Sequence, residues 1–131
     1  MNTYLGEGRM PSEKNDCTVI SLSYAFDLPY EIAHKICKSC GRKDKGRFYL
    51  NKVFRIQERR RIVKRKLAGN KYEIIFYPRP HMTIKSFIKS RPSGKFICTV
   101  ANHSFCIKDS VIFNQRNENQ IIKYLFEIVK L

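Results

Sequence analysis

The sequence predicts an α+β fold in one domain, helices first and an antiparallel sheet after them. Three observations lead there. From Cys17 to Gln57 the apolar residues recur at helical spacings, and from Arg59 onward the pattern changes to short β-rich runs punctuated by turn residues. With 131 residues and 43% apolar content, the chain can fill one core and has little room for a second. Helical runs followed by strand runs are the α+β layout. The domain is read as 1–131, with the polar residues 1–14 expected to be loose or extended.

Taken in order, Asn15-Asp16 can cap a helix that begins at Cys17 and continues through Leu22 to Phe26. Pro29 suits the first turn of a second helix, Tyr30 to Ser39 or Cys40, and Gly41 suits its left-handed end. Lys43 to Arg47 reads as a basic loop. Phe48, Leu50, Val53, Phe54 and Gln57 favour a third helix. Ile62-Val63 and Tyr72 to Tyr77 read as short strands, the second ended by Pro78 and Pro80. Thr83 caps a short helix from Ile84 to Ser90, closed by Pro92 and Gly94. Three strands follow, Lys95 to Ala101, His103 to Lys108 and Val111 to Gln115, with Asn102 and Asp109-Ser110 as turns. The segment Gln120 to Leu131 reads either way: Lys123, Glu127 and Lys130 form a helical stripe, while Ile122, Tyr124, Phe126 and Ile128 alternate as a strand would. An N-terminal helix on a sheet of about four to six strands is the expected architecture.

Charge and thiols narrow the function classes. Lys and Arg number 26 against 11 Asp and Glu, a net charge of +15, so nucleic acid, acidic protein surfaces and anionic lipid would all attract the chain. No run approaches the ~18 apolar residues of a membrane span, and the first residues lack the pattern of a secretory signal. A cytoplasmic protein without membrane contact is therefore expected. Five cysteines cannot all pair within one chain, and reduced thiols are expected in that compartment.

Three residues form the candidate chemical centre: Cys17, His103 and Asn114. A cysteine at a helix N-terminus meets free backbone N–H groups and the positive dipole end, both of which favour the nucleophilic thiolate. In the hairpin centred on Asp109-Ser110, Lys108 faces Val111, Ile107 faces Ile112, Cys106 faces Phe113 and Phe105 faces Asn114. His103 and Asn114 then become diagonal neighbours on one face, roughly 7–8 Å apart at the backbone. Asn114 can orient one ring nitrogen and leave the other for a thiol. Asp109, six strand residues from His103 or about 20 Å, is too far to do so. Phe96, Cys98, Val100, Phe105, Ile107 and Ile112 share the His103 face. That apolar face calls for a covering helix, and the Cys17 helix packed there would bring thiol and imidazole together.

Asn15-Asp16-Cys17 opening an apolar helix, followed by His103 and Asn114 on adjacent strands, resembles the papain-like cysteine peptidases. The Asp-Cys start is similar to that of the double-glycine leader peptidases. Gly41-Arg42-Lys43 and the stretch from Thr83-Ile84 through Phe87-Ile88-Lys89 and Pro92-Ser93-Gly94-Lys95 resemble small phage-encoded members of that superfamily. The likeness spans residues 15 to 115. It implies a papain-like fold, Cys17 as nucleophile, His103 as general base and acid, and Asn114 as the orienting residue. It also implies a protein or peptide substrate, no cofactor and no metal, and the host-cell cytoplasm as the location. The peptidases usually carry a glutamine about six residues before the cysteine, where this chain has Pro11, so Asn15 or the Cys17 backbone N–H would bind the oxyanion. Phage members often have Asp in the place of Asn114; Asn is the papain choice. The same triad serves isopeptidases, deamidases and transglutaminases.

Two signals compete. Cys37-Lys38-Ser39-Cys40 has zinc-type spacing, but a structural site needs four ligands, and the strand pattern separates Cys106 from His103. Cys98 shares the His103 face without a helix end to activate it. Arg55, Arg59, Arg60, Arg61, Lys64, Arg65 and Lys66, with Lys43, Lys45 and Arg47, face only Glu58 and Asp44. Such a cluster neutralises phosphates, and Tyr49, Tyr72 and Tyr77 are available for stacking or for packing. The alternative expectation is thus a basic nucleic-acid-binding protein with a vestigial site. For an enzyme, the same patch would serve an acidic substrate, a nucleic acid or a ribosome.

Overall fold

A computed structural model describes residues 16–43, 49–101, 103–113 and 118–131. The expected loose segment 1–14, Asn15, the loop residues 44–47, Phe48, the Asn102 turn, Asn114 and Gln115 lie outside the described residues. Among the described residues four helices and six strands follow in the order α1 (Cys17–Phe26), α2 (Tyr30–Ser39), α3 (Leu50–Phe54), β1 (Ile62–Leu67), β2 (Asn70–Pro78), α4 (Ile84–Ser90), β3 (Lys95–Val100), β4 (His103–Lys108), β5 (Val111–Phe113) and β6 (Tyr124–Lys130). The strands form one antiparallel sheet in the order β1-β2-β6-β3-β4-β5. This is an α+β fold, as expected. No helix among the described residues is long and apolar enough to cross a membrane.

The ambiguous C-terminal segment is a strand. It fills the centre of the sheet, with Phe76 opposite Phe126 on one side and Ile97 opposite Phe126 on the other. A central slot requires a backbone that hydrogen-bonds in both directions, which a helix cannot supply. The Lys123–Glu127–Lys130 stripe therefore has no helical meaning. Glu127 instead receives Arg91 at 2.7 Å and the Tyr77 hydroxyl at 3.0 Å.

Both faces of the sheet are covered. On one face Val63, Tyr72, Ile74, Phe76, Ile97, Cys106, Phe126 and Ile128 pack against α1, α2 and α3. Edge-on ring contacts bind the layers, Phe26 to Tyr72 at 4.7 Å and Phe54 to Phe126 at 5.2 Å between centroids. On the other face Phe96, Cys98, Val100, Phe105, Ile107 and Leu125 pack against Ile84 and Phe87 of α4. The His103 face is thus covered by a helix, as expected, but by α4. The expectation that the Cys17 helix would cover it is corrected. Thr18 to Phe26 are all buried, and a helix buried on every side needs the broader face, where α2 closes over its back.

Two other boundaries differ from expectation. The third helix stops at Phe54 because Arg55 turns left-handed (φ 52°), which carries Ile56 into the core at 2% exposure. β1 runs on through Lys64-Arg65-Lys66 to Leu67, residue types that rarely mark a strand, and Ala68-Gly69 turn the chain with positive φ at both residues. Asp109-Ser110 do the same between β4 and β5 (φ 46° and 71°), and the register is the expected one: Lys108 to Val111, Ile107 to Ile112, Cys106 to Phe113. Thr83 caps α4 by accepting from the Ser86 amide at 3.1 Å.

The C-terminal end of α1 is tied to the sheet by charge. Asp27, its left-handed C-cap, holds Lys95 at 3.1 Å and also pairs with Lys108. Partial burial raises the Asp27 carboxyl, but the two lysines outweigh this and hold it below the ordinary range. A depressed folded-state pKa contributes stability above the unfolded value, and that contribution is lost as pH falls through the folded one. Asp27→Asn is expected to cost at most about 1 kcal/mol at neutral pH, since the pair is exposed. In thermal melts the difference from the parent should vanish once the pH has fallen through the lowered Asp27 pKa and the carboxyl is protonated.

Candidate active site

Cys17 opens α1 and His103 opens β4, and the lengths of the two elements bring them together. Ten helical residues rise about 15 Å, and Ser104 to Lys108 spans about 13 Å of strand. With Asp27 held by Lys108 at one end, the start of α1 falls beside the start of β4 at the other. The Val100–His103 pair flanks a two-residue connection. In such a hairpin the flanking residues bond each other, which leaves the next amide, Ser104 N–H, directed away from β3. It points toward the β5 side, where the described strand reaches back only to Phe113, opposite Cys106.

The Cys17 sulfur occupies this edge. It is hydrogen-bonded to the His103 side chain, the Ser104 backbone and the Thr18 side chain. Burial pushes the thiol up; these bonds and the charge of His103 outweigh it, and the net result lies below the ordinary cysteine value. The positive end of α1 acts in the same direction. His103 keeps its own face of β4, its ring stacked at 16° on Phe105 with centroids 6.2 Å apart. Thiol and imidazole therefore meet around the sheet edge, from opposite faces.

The remaining thiols are unlike Cys17. Burial drives Cys37 and Cys106 up to about 12, and Cys98 well above its ordinary value. Cys37 and Cys40 lie at the end of α2, Cys98 on the α4 face and Cys106 on the α1 face. Among the described residues no group of three or more His, Cys, Asp or Glu side chains could hold a metal ion.

Asp16 sits at the N-cap position without making a side-chain cap bond, contrary to expectation. The first helical bond comes from its carbonyl, which accepts from the Ile20 amide at 2.9 Å. Its carboxylate, 3% exposed, accepts the Tyr30 hydroxyl at 2.7 Å and so fixes the start of α1 to the start of α2. The Tyr30 ring lies 5.9 Å from that of His34, whose Nε2 is 3.4 Å from Nη1 of the buried Arg42. This buried polar chain, like the roles of Thr18 and Ser104, was not anticipated. The spacing of Tyr30 and His34, one helical turn apart, was its available signal.

Asp109 is a turn residue, as expected: its carboxylate accepts the Gly94 amide at 2.9 Å, and its own amide donates to Gly94 O. Asn15 and Asn114, the oxyanion and orienting candidates, lie outside the described residues. No family model, curated protein or solved structure matches this chain.

With limiting iodoacetamide at about pH 6, Cys17 should be alkylated at least about tenfold faster than Cys37, Cys98 or Cys106, read by peptide mapping. Replacing His103 by Ala should remove most of that advantage.

Proposed function

We propose that this chain is a papain-like cysteine peptidase, or a close thiol acyl-transfer relative acting on an amide bond. The observation that carries the reading is the hydrogen bond between a helix-terminal thiol and the His103 imidazole. A nucleophile touching its base at a site that lowers the thiol is the arrangement acyl transfer requires.

In this reading the Cys17 thiolate attacks the amide carbonyl and forms a C–S bond, pushing the π electrons onto oxygen. The Cys17 backbone N–H, with Asn15 as the candidate second donor, binds that oxyanion at the positive end of α1. His103 gives its proton to the departing amine as the C–N bond breaks, leaving a thioester. Water, or a second amine in a transferase, then gives its proton to His103 and displaces the sulfur. Asn114 holds the imidazole through the other nitrogen, and Thr18 and Ser104 steady the thiolate between turnovers. The Asp16–Tyr30 contact keeps the start of α1 in position. The substrate is a protein or peptide, and the basic surface favours acidic ones.

The test is mass-spectrometric detection of new termini in a peptide library. The parent should generate them, Cys17→Ala should not, and Asn114→Ala should lower turnover by about tenfold or more while Asn114→Asp retains much of it. Asp109→Ala should change turnover little. Cleavage that survives Cys17→Ala, or that depends on Asp109 and not Asn114, contradicts the assignment.

A further inference from the structure

The sequence run from Arg55 to Lys66 becomes, in three dimensions, a set of cations on both sides of one edge strand. β1 is the end strand of the sheet. Val63 is buried in the α1-face core, so by alternation Arg65 shares its face while Lys64 and Lys66 lie on the other. Lys66 pairs in register with Lys71, adding a further cation to the Lys64 side.

Arg65 is not a free ligand, which corrects its place in the expected patch. Its Nε donates to Phe54 O at 2.8 Å, Nη1 to Lys64 O at 2.9 Å and Nη2 to Arg55 O at 3.2 Å. The guanidinium knits the end of α3 to β1, and in doing so draws its charge close to Arg55 and Arg60. The proximity is felt electrostatically: burial, and then Arg55 and Arg60, lower the Arg65 pKa. Arg61 is partly engaged as well, donating from Nε to Glu58 O at 3.0 Å. Glu58 itself is paired with Arg79 at 3.0 Å, and Glu73 stands opposite Lys64. Between residues 52 and 79 there are no other acids, against ten cations. Arg55, Arg59, Arg60, Lys64, Lys66 and Lys71 are all exposed.

We propose that this edge of the sheet is a docking surface for the phosphodiester backbone of duplex nucleic acid, read without regard to sequence. Two features favour phosphates over carboxylates. Half of the exposed cations are arginines, whose planar fork matches a phosphate bidentately. They are also gathered against one another by backbone bonds, so a dense line of negative charge relieves their repulsion along its whole length. Base stacking by Tyr72 or Tyr77 has no part in it: Tyr72 is buried against Phe26, and the Tyr77 hydroxyl is engaged by Glu127. Lysines on an edge strand also discourage strand-to-strand aggregation, but that needs one or two charges and not six exposed cations. The thiol lies at the opposite part of the sheet. Four strand spacings of about 4.8 Å separate β1 from β4, so a bound duplex leaves Cys17 open.

The experiment is fluorescence anisotropy with a labelled DNA duplex of about 20 bp and arbitrary sequence, titrated between about 50 and 200 mM salt. About six phosphate contacts give a log–log salt slope near −5 and a loss of affinity of about 10³-fold over that range. The variant carrying Arg59→Gln, Arg60→Gln, Lys64→Gln and Lys66→Gln should lose about 3 to 4 from that slope. It should keep the parent's circular dichroism and rate of Cys17 alkylation. Alkylating Cys17 in the parent should leave duplex binding unchanged. The proposal is overturned by a variant that keeps the parent's affinity and slope, by polyglutamate binding as tightly as the duplex, or by no duplex binding at the lowest salt. Because the readout is binding, loss of peptidase activity does not affect it.

Discussion

The chemistry available to this chain depends on one hydrogen bond, between a thiol at the start of α1 and an imidazole at the start of β4. The two side chains approach from opposite faces of the sheet, so the contact exists only at its edge. Three constraints place it there. α1 lies along β4 and nearly matches its length, Asp27 fixes the far end through Lys95 and Lys108, and the tight β3–β4 connection turns the Ser104 amide outward to the sulfur. Lengthening α1 by one residue would move Cys17 about 1.5 Å and rotate it by some 100°, away from both partners.

Holding α1 so firmly requires burying it from Thr18 to Phe26, and that explains the rest of the architecture. The sheet gives it one apolar wall, α2 another, and its own polar side chains are satisfied locally: Ser21 donates to Cys17 O at 2.7 Å and Ser23 to Leu28 O at 2.6 Å. The opposite face of the sheet would then be open to water, and α4 closes it with Ile84 and Phe87. The Asp16–Tyr30 bond stands at the point where the buried helix meets the site, so a polar contact fixes direction where apolar packing alone would permit sliding.

Much of this was legible in the residues. The first two helices, the Thr83 cap and the Asp109-Ser110 register each rest on local chemistry, namely periodicity, a capping hydroxyl and a turn, and local chemistry can be read from sequence. What could not be read depended on partners distant in the chain. β6 is a strand because β2 and β3 leave a slot between them. β1 extends through three cations because β2 folds back on it at Ala68-Gly69. The face chosen by α1 was misread because both faces of β3 and β4 are apolar, Ile97 and Cys106 on one and Phe96, Cys98 and Phe105 on the other. Cys17 and His103 could nevertheless be singled out, and they do meet, since a helix terminus and a strand terminus are both local features. Thr18 and Ser104 were not, because their roles arise only once the sulfur is in place.

The sheet thus separates two features, a thiol at the β4 end and a cationic edge at β1, with the apolar core between them. The central claim concerns the thiol, and thiolate absorbance near 240 nm followed against pH tests it most directly. The difference between the parent and Cys17→Ser should show ionisation with a midpoint below the ordinary thiol value of about 8.5, and His103→Gln should move that midpoint upward. A parent midpoint at or above about 8.5, or one that His103→Gln leaves in place, would contradict the account.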